Sequence, residues 1–301
     1  MSATSTSFRY PCYRQLKKRL GEADAATQFA EIAVRDLSGR LQNAANPEAL
    51  LQSMSTEHNV KTDNVDLPLA RRQLSRLHIV AVVGEFEQFL EDLRDSHPDR
   101  LKWTYGPQSQ AEEPPDDKKK KPKKEGLLVR IIRNLSSSIP EARSQLGGLD
   151  YDLYQYYRLV RNRAAHAEES STGVDSKVTA LREKVSQDSQ YQRLAAPNEL
   201  GSVNFDDFIL CTRVVKRLAE AMCKLARPSD AQIAEMITTT LSADADGEKG
   251  KTRPISKLRA LRNNRRRQQA ALTTVLRQEY SLSSDEALPI VDLLLPSGPL
   301  A

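Results

Sequence analysis

Long apolar stripes that repeat at steps of three and four residues constrain this chain most. Between Pro68 and Ser96, Leu74, Leu77, Val80, Ala81, Gly84, Phe86, Phe89, Leu90 and Leu93 follow that spacing. It is the spacing of a helix face, whereas a half-buried strand needs strict alternation. The surface is wide enough to predict a helix buried on most sides, opened by Pro68 in its first turn and stopped by His97-Pro98. Gly84 is expected to let a neighbouring helix approach closely. The same periodicity marks 127–138, 150–168 and 204–226, and four such helices suffice for an up-down bundle. Residues 13–42 read as a helix or a helix pair broken around Gly21, with an apolar stripe from Leu16 through Phe29 and Ile32 to Leu41. Asn46 is expected to cap a short helix, Asn204 and Ser229 to cap later ones, and 256–280 and 283–295 to add two more. Glycine is sparse, at 12 residues, and neither a G-x-G-x-x-G nor a Walker loop occurs, which argues against a nucleotide-binding α/β fold. The predicted class is all-α.

The chemistry concentrates on one of these helices. In Leu149–Glu169 the residues Leu153, Tyr154, Tyr157, Val160 and Ala164 form the apolar face, with Asp150 as the expected N-cap. Beside that face stands Arg161-Asn162-Arg163-Ala164-Ala165-His166. Arginine is always charged and its planar fork fits phosphate oxygens. Histidine gives and takes a proton near neutrality. Asn162 can orient a hydroxyl or a phosphate oxygen. Together they suit phosphodiester chemistry without a metal, His166 moving the proton and Arg161 stabilising charge on the phosphate. With an RNA substrate, the nucleophile is available as its own 2′-hydroxyl. Five residues apart, Arg161 and His166 lie roughly 140° apart around an ideal helix, whereas Asn162 and His166 share a face. Either the helix distorts near Arg163, or two copies of the chain meet to build a composite site. Glu85 or Glu87 can reach the basic motif and pair with Arg161 or Arg163, or each can stand exposed on its own helix.

The pattern arginine–polar–three residues–histidine resembles the signature of the HEPN superfamily of all-helical proteins, and Arg161 to His166 match it throughout. The segment VVGEFEQFLEDL resembles the first core helix of many members. The resemblance covers roughly half the chain and is specific only at the motif. It implies an HEPN-like helical bundle, a homodimer whose two motifs face each other, and a metal-independent endoribonuclease. Arg161, Asn162 and His166 take the family's catalytic positions, and products carry 2′,3′-cyclic phosphate and 5′-hydroxyl ends. Members serve as toxins and anti-phage effectors, so an antitoxin or a sensor protein is an expected partner. Here Ala167, Glu168 and Glu169 follow the histidine, and the tyrosine that some toxins carry there is absent.

The remainder places that core in the chain. Residues 1–62 read as an N-terminal helical segment, and 63–228 as the core with a disordered charged insertion at about 104–126. Residues 229–301 read as a C-terminal basic helical appendage. Lys118–Lys124 holds six lysines, and Lys249–Arg267 holds nine Lys or Arg and no acid, within a chain of net charge +5. The rest is therefore net acidic, and the positive charge sits in two arms suited to a polyanion. Arg130 and Arg133 on the 127–138 helix are further candidates to face a phosphate. Trp103 is expected to pack on the core. Cys12, Cys211 and Cys223 are odd in number with no C-x-x-C, which predicts free thiols and a reducing cytoplasm. No metal, cofactor or membrane span is expected: the four histidines lack H-E-x-x-H spacing, and no run of eighteen apolar residues occurs. Two other readings compete with the nuclease. One is a non-catalytic helical module that binds RNA or a protein through the basic arms. The other, resting on KKKKPKK alone, is a eukaryotic nuclear adaptor.

Overall fold

The computed structural model describes residues 7–62, 66–103, 126–166, 175–243 and 264–295. Every regular element among them is helical. Eleven α-helices follow in order: α1 (Pro11–Gln42), α2 (Pro47–Glu57), α3 (Leu67–Ser96), α4 (Leu127–Leu135), α5 (Ile139–Gln145), α6 (Gly148–His166), α7 (Asp175–Gln187), α8 (Phe205–Leu225), α9 (Asp230–Ala243), α10 (Arg265–Tyr280) and α11 (Ser284–Leu294). Among the described residues no helix is long and apolar enough to cross a membrane. The lysine run 118–124, and residues 249–263 of the second basic arm, lie outside the described residues.

Capping follows the local chemistry. Asn46 accepts from the Ala49 amide at 3.0 Å, Asp66 from Leu69 at 2.7 Å, and Ser229 from Gln232 at 3.3 Å. Each satisfies an amide that has no partner within its own helix. At α8, Asn204 accepts from Asp206 and Asp207 at 2.9 and 3.4 Å, and Asp207 accepts in return from the Asn204 amide at 3.0 Å. This is a reciprocal capping box with Asp in the usual Glu position.

Contacts group the chain into two compact units that chain order does not reveal. One comprises Leu16–Gln88 and Gly147–Leu218; the other takes the described residues of Met1–Gln15, Phe89–Leu146 and Ala219–Ala301. The first unit buries Leu16, Leu20, Ile79, Val82, Val83 and Phe86 together with Leu153, Tyr154, Tyr157, Val160, Phe208 and Val214. Phe86 meets Tyr154 edge-on at 4.9 Å, which seats α6 on α3. In the second unit the two ends of the chain close on each other. The Arg9 amide donates to the Tyr280 carbonyl at 2.7 Å, Phe8 stacks on Tyr280 at 5.7 Å, and the Ser7 amide donates to Glu286 at 3.1 Å. Residues 280–295 are thus built into a core rather than appended to it.

Three details differ from the periodic reading. α1 runs unbroken through Gly21, and its second half presents Phe29 and Ile32 to solvent, at 76% and 64% exposure. The stripe is helical in spacing, but only Leu16 and Leu20 find a core. Leu77 of α3 is 62% exposed, and Gly84 is exposed with nothing within 4 Å of an added Cβ, so it serves no close helix approach. Asp150 is not the cap of α6. The helix begins two residues earlier, at Gly148, and the carboxylate is taken by other partners described below.

His97, buried at 7% exposure, gives the second unit a pH dependence. Its Nδ1 accepts from the Asp99 amide at 3.1 Å, and its ring lies 4.8 Å from that of Trp103, which is itself buried. Burial lowers its pKa below the ordinary 6.5, against the opposing pull of Asp99. The unfolded chain binds a proton that the folded chain disfavours. Stability is therefore complete above the unfolded value and is lost as pH falls through the lower folded one. Thermal midpoints are expected to drop as pH falls below the ordinary histidine value of 6.5. His97→Asn keeps an acceptor near the Nδ1 position and should flatten that slope; an unchanged slope would rule out His97 as its source. His78, also shifted down by burial, leaves a residual slope of the same sign.

Candidate functional site

α6 carries the basic motif and is held along its length by buried polar anchors. At its start, Asp150 accepts from the Tyr191 hydroxyl at 2.6 Å and pairs with Arg217 at 2.8 Å, while the Arg217 guanidinium covers the Tyr191 ring at 5.1 Å. Burial raises the Asp150 pKa; the Tyr191 hydrogen bond and the Arg217 charge oppose that shift. In mid-helix, the buried Tyr157 hydroxyl donates to Asp207 of α8 at 3.1 Å. These contacts fix both the rotation and the height of α6 within its unit.

The motif follows one turn later. The Arg161 guanidinium forms an ion pair with Glu87 of α3 and donates to Asn162 Oδ1 at 3.0 Å. Both ionic side chains are partly open, at 25% and 29% exposure. Held from two sides, the planar fork has less rotamer freedom to lose when it meets an anion. Of the two acidic candidates on α3, Glu87 is the partner; Glu85 turns to Arg19 of α1 at 2.5 Å. Arg163 is half-buried and engaged by other residues. α6 stays α-helical through Arg161–His166, so the helix does not distort near Arg163. His166 is the last residue of α6, and its side chain lies outside the described residues. Arg130 and Arg133 lie on α4, in the other compact unit.

Two neighbours of α6 carry no sequence motif of their own. The loop 195–199 is clasped by Tyr156, whose hydroxyl donates to the Asn198 carbonyl, and by Arg182, which donates to the Pro197 carbonyl at 3.0 Å. Between α6 and α7 lies a cavity of about 450 Å³ lined by Asp152, Gln155, Tyr156, Leu159, Leu181 and Lys184, among others. A second cavity of about 700 Å³ sits where α1, α2 and the start of α3 meet residues 201–204. Its arginines are already engaged, Arg71 by Glu31 at 2.7 Å and Arg72 by the Gly201 carbonyl at 3.0 Å. Among the described residues, no group of three or more His, Cys, Asp or Glu could hold a metal ion. All three cysteines are buried and free, and burial raises their thiol pKa values, so none is an activated nucleophile.

No family model matches the chain, and no curated protein or solved structure matches it.

Proposed function

We propose that the chain is a metal-independent endoribonuclease of the HEPN type, in which α6 helices of two copies pair to form the active site. The observation that carries this reading is the constraint on Arg161. A guanidinium held by Glu87 and Asn162, yet partly open, suits a phosphate whose charge grows in the transition state. The register of α6 adds a second argument. Along an unbroken helix Arg161 and His166 stand roughly 140° apart, so a partner copy is the simplest source of the complementary residue. In this reading the RNA 2′-hydroxyl attacks the adjacent phosphorus, His166 transfers the proton, and Arg161 stabilises the phosphorane. The 5′-oxygen departs, leaving a 2′,3′-cyclic phosphate. Such an activity needs restraint in a cell, which fits a toxin or anti-phage effector held by an antitoxin or a sensor partner. The basic arms would add salt-sensitive attraction to the RNA backbone.

The test is cleavage of labelled cellular RNA by the purified chain in EDTA, with His166→Ala alongside. Cutting by the wild type alone, with cyclic-phosphate ends, supports the nuclease. Equal cutting by the variant would sink it. Glu87 itself favours a second reading, because its carboxylate offsets the Arg161 charge and weakens the pull on a phosphate. A non-catalytic RNA-binding module would bind RNA in a salt-sensitive way, cut none, and be indifferent to His166→Ala.

A further inference from the structure

The cavity between α6 and α7 has no part in the chemistry above, but it lies on the face of α6 that leads to the motif. Gln155, Leu159, Asn162 and His166 follow at steps of four, three and four, within an arc of roughly 60° on the helix. Asn162 stands one turn beyond Leu159, on the same side. The walls are mixed: Tyr156, Leu159, Ala180 and Leu181 are apolar or aromatic, while Lys177 and Lys184 stand exposed at the rim. Lys184 lies 3.7 Å from Asp152. Gln155 supplies the specific signal. Its Oε1 accepts from Arg158 Nε at 3.2 Å, which orients the amide, and its buried Nε2 has no hydrogen-bond partner. A buried donor without an acceptor is costly, and a rotation of the Gln155 amide toward the cavity, where a ligand supplies an acceptor, recovers that cost. The volume falls in the range of small-ligand sites.

We propose that this cavity binds one nucleotide of single-stranded RNA, next to the scissile phosphate. The base enters between Leu159 and Leu181, and Gln155 turns its amide toward the cavity to donate to a ring nitrogen or carbonyl. Lys177 and Lys184 meet the flanking phosphates. The placement beside the scissile phosphate rests on the nuclease reading; base binding in the cavity does not.

The experiment uses the full chain and short 2′-O-methyl oligoribonucleotides, which lack the attacking hydroxyl, with affinity read by fluorescence anisotropy. Ala180→Trp fills the exposed rim without disturbing a buried side chain and should weaken binding about tenfold, with the helical signal and melting temperature unchanged. Lys177→Gln with Lys184→Gln should lower the salt slope by about 1.4, from roughly 0.7 per single-strand phosphate contact. An oligomer carrying 4-thiouridine should crosslink within 152–159 or 177–184. Wild-type affinity in Ala180→Trp, crosslinks confined to other segments, or no binding by the wild type would each overturn the proposal. Binding that is sensitive to Ala180→Trp, in a protein that cuts no RNA, would retain the base site and reject the nuclease.

Discussion

Arg161→Ala is expected to lower the rate of RNA cleavage by about 10²–10³-fold, with a much smaller change in KM. In the proposed mechanism the guanidinium acts on charge that appears only in the transition state, so its loss should fall on kcat. Arg161→Lys keeps the charge but loses the planar fork that Glu87 and Asn162 orient, and it should recover only part of the activity. Glu87→Ala acts through Arg161 rather than on the RNA. Loss of the carboxylate frees the guanidinium to rotate but also unmasks its charge, so the net cost should be no more than about tenfold, and Glu87→Gln, which retains an acceptor without the charge, should restore the activity. Removing the partly exposed Arg161 should leave the protein folded. Mixing also tests the proposed composite site: Arg161→Ala and His166→Ala should each be nearly inactive alone, but a mixed dimer would rebuild one complete site from the two intact residues. Recovered cleavage on mixing supports a shared site. Wild-type rates in Arg161→Ala would remove Arg161 from the mechanism.

The largest effect on stability is expected at Asp207. Its carboxylate is fully buried and accepts from the Tyr157 hydroxyl, the Asn198 amide at 2.9 Å, the Asn198 side chain at 2.8 Å and the Asn204 amide at 3.0 Å. One side chain thereby ties α6, the loop after Tyr191 and the start of α8. Burial raises its pKa, while the Asn198, Asn204 and Tyr157 donors favour the charged form and limit the rise. Asp207→Ala leaves these donors without their acceptor in a site water does not reach. The expected loss is about 3–5 kcal/mol, or a melting temperature lower by about 5–8 °C. Tyr157→Phe removes one donor and leaves the other three bonds in place, so its cost should be about 1 kcal/mol. Calorimetry of the two variants checks the ratio. An Asp207→Ala protein that melts at the wild-type temperature would show that the network contributes nothing to stability.

Several features were legible without the structure because they are local. Helix class follows from side-chain period, and the caps at Asn46, Asn204 and Ser229 follow from short polar side chains placed before apolar runs. Trp103 was expected on the core and lies there, against His97. The choice of residues in the candidate site rests on local sequence too, because Arg161, Asn162 and His166 sit within six consecutive positions whose residue types and resemblance to the HEPN motif need no tertiary contact.

What spacing could not supply is the partner of each charge. Glu85 and Glu87 are two residues apart on one helix, about 200° around its axis. Only the packing of α3 against α1 and α6 sends Glu85 to Arg19 and Glu87 to Arg161. Asp150 illustrates the same limit. Its residue type and position suit a cap, yet the folded chain brings Tyr191 and Arg217 to it from 41 and 67 residues away, and the helix starts ahead of it. Phe29, Ile32 and Leu77 continue apolar stripes onto exposed surface, because periodicity gives the direction of a face but not whether another element covers it. The grouping of 7–15 with 89–146 and the chain's end likewise depends on contacts such as Arg9 with Tyr280, whose long separation leaves no pattern in the sequence. The sequence by itself determined the all-helical class and the motif helix, since both rest on neighbours within a turn or two. The tertiary structure decided the orientation of Arg161, the Asp207 network and the cavity beside α6, since each joins residues that are close only once the helices have packed.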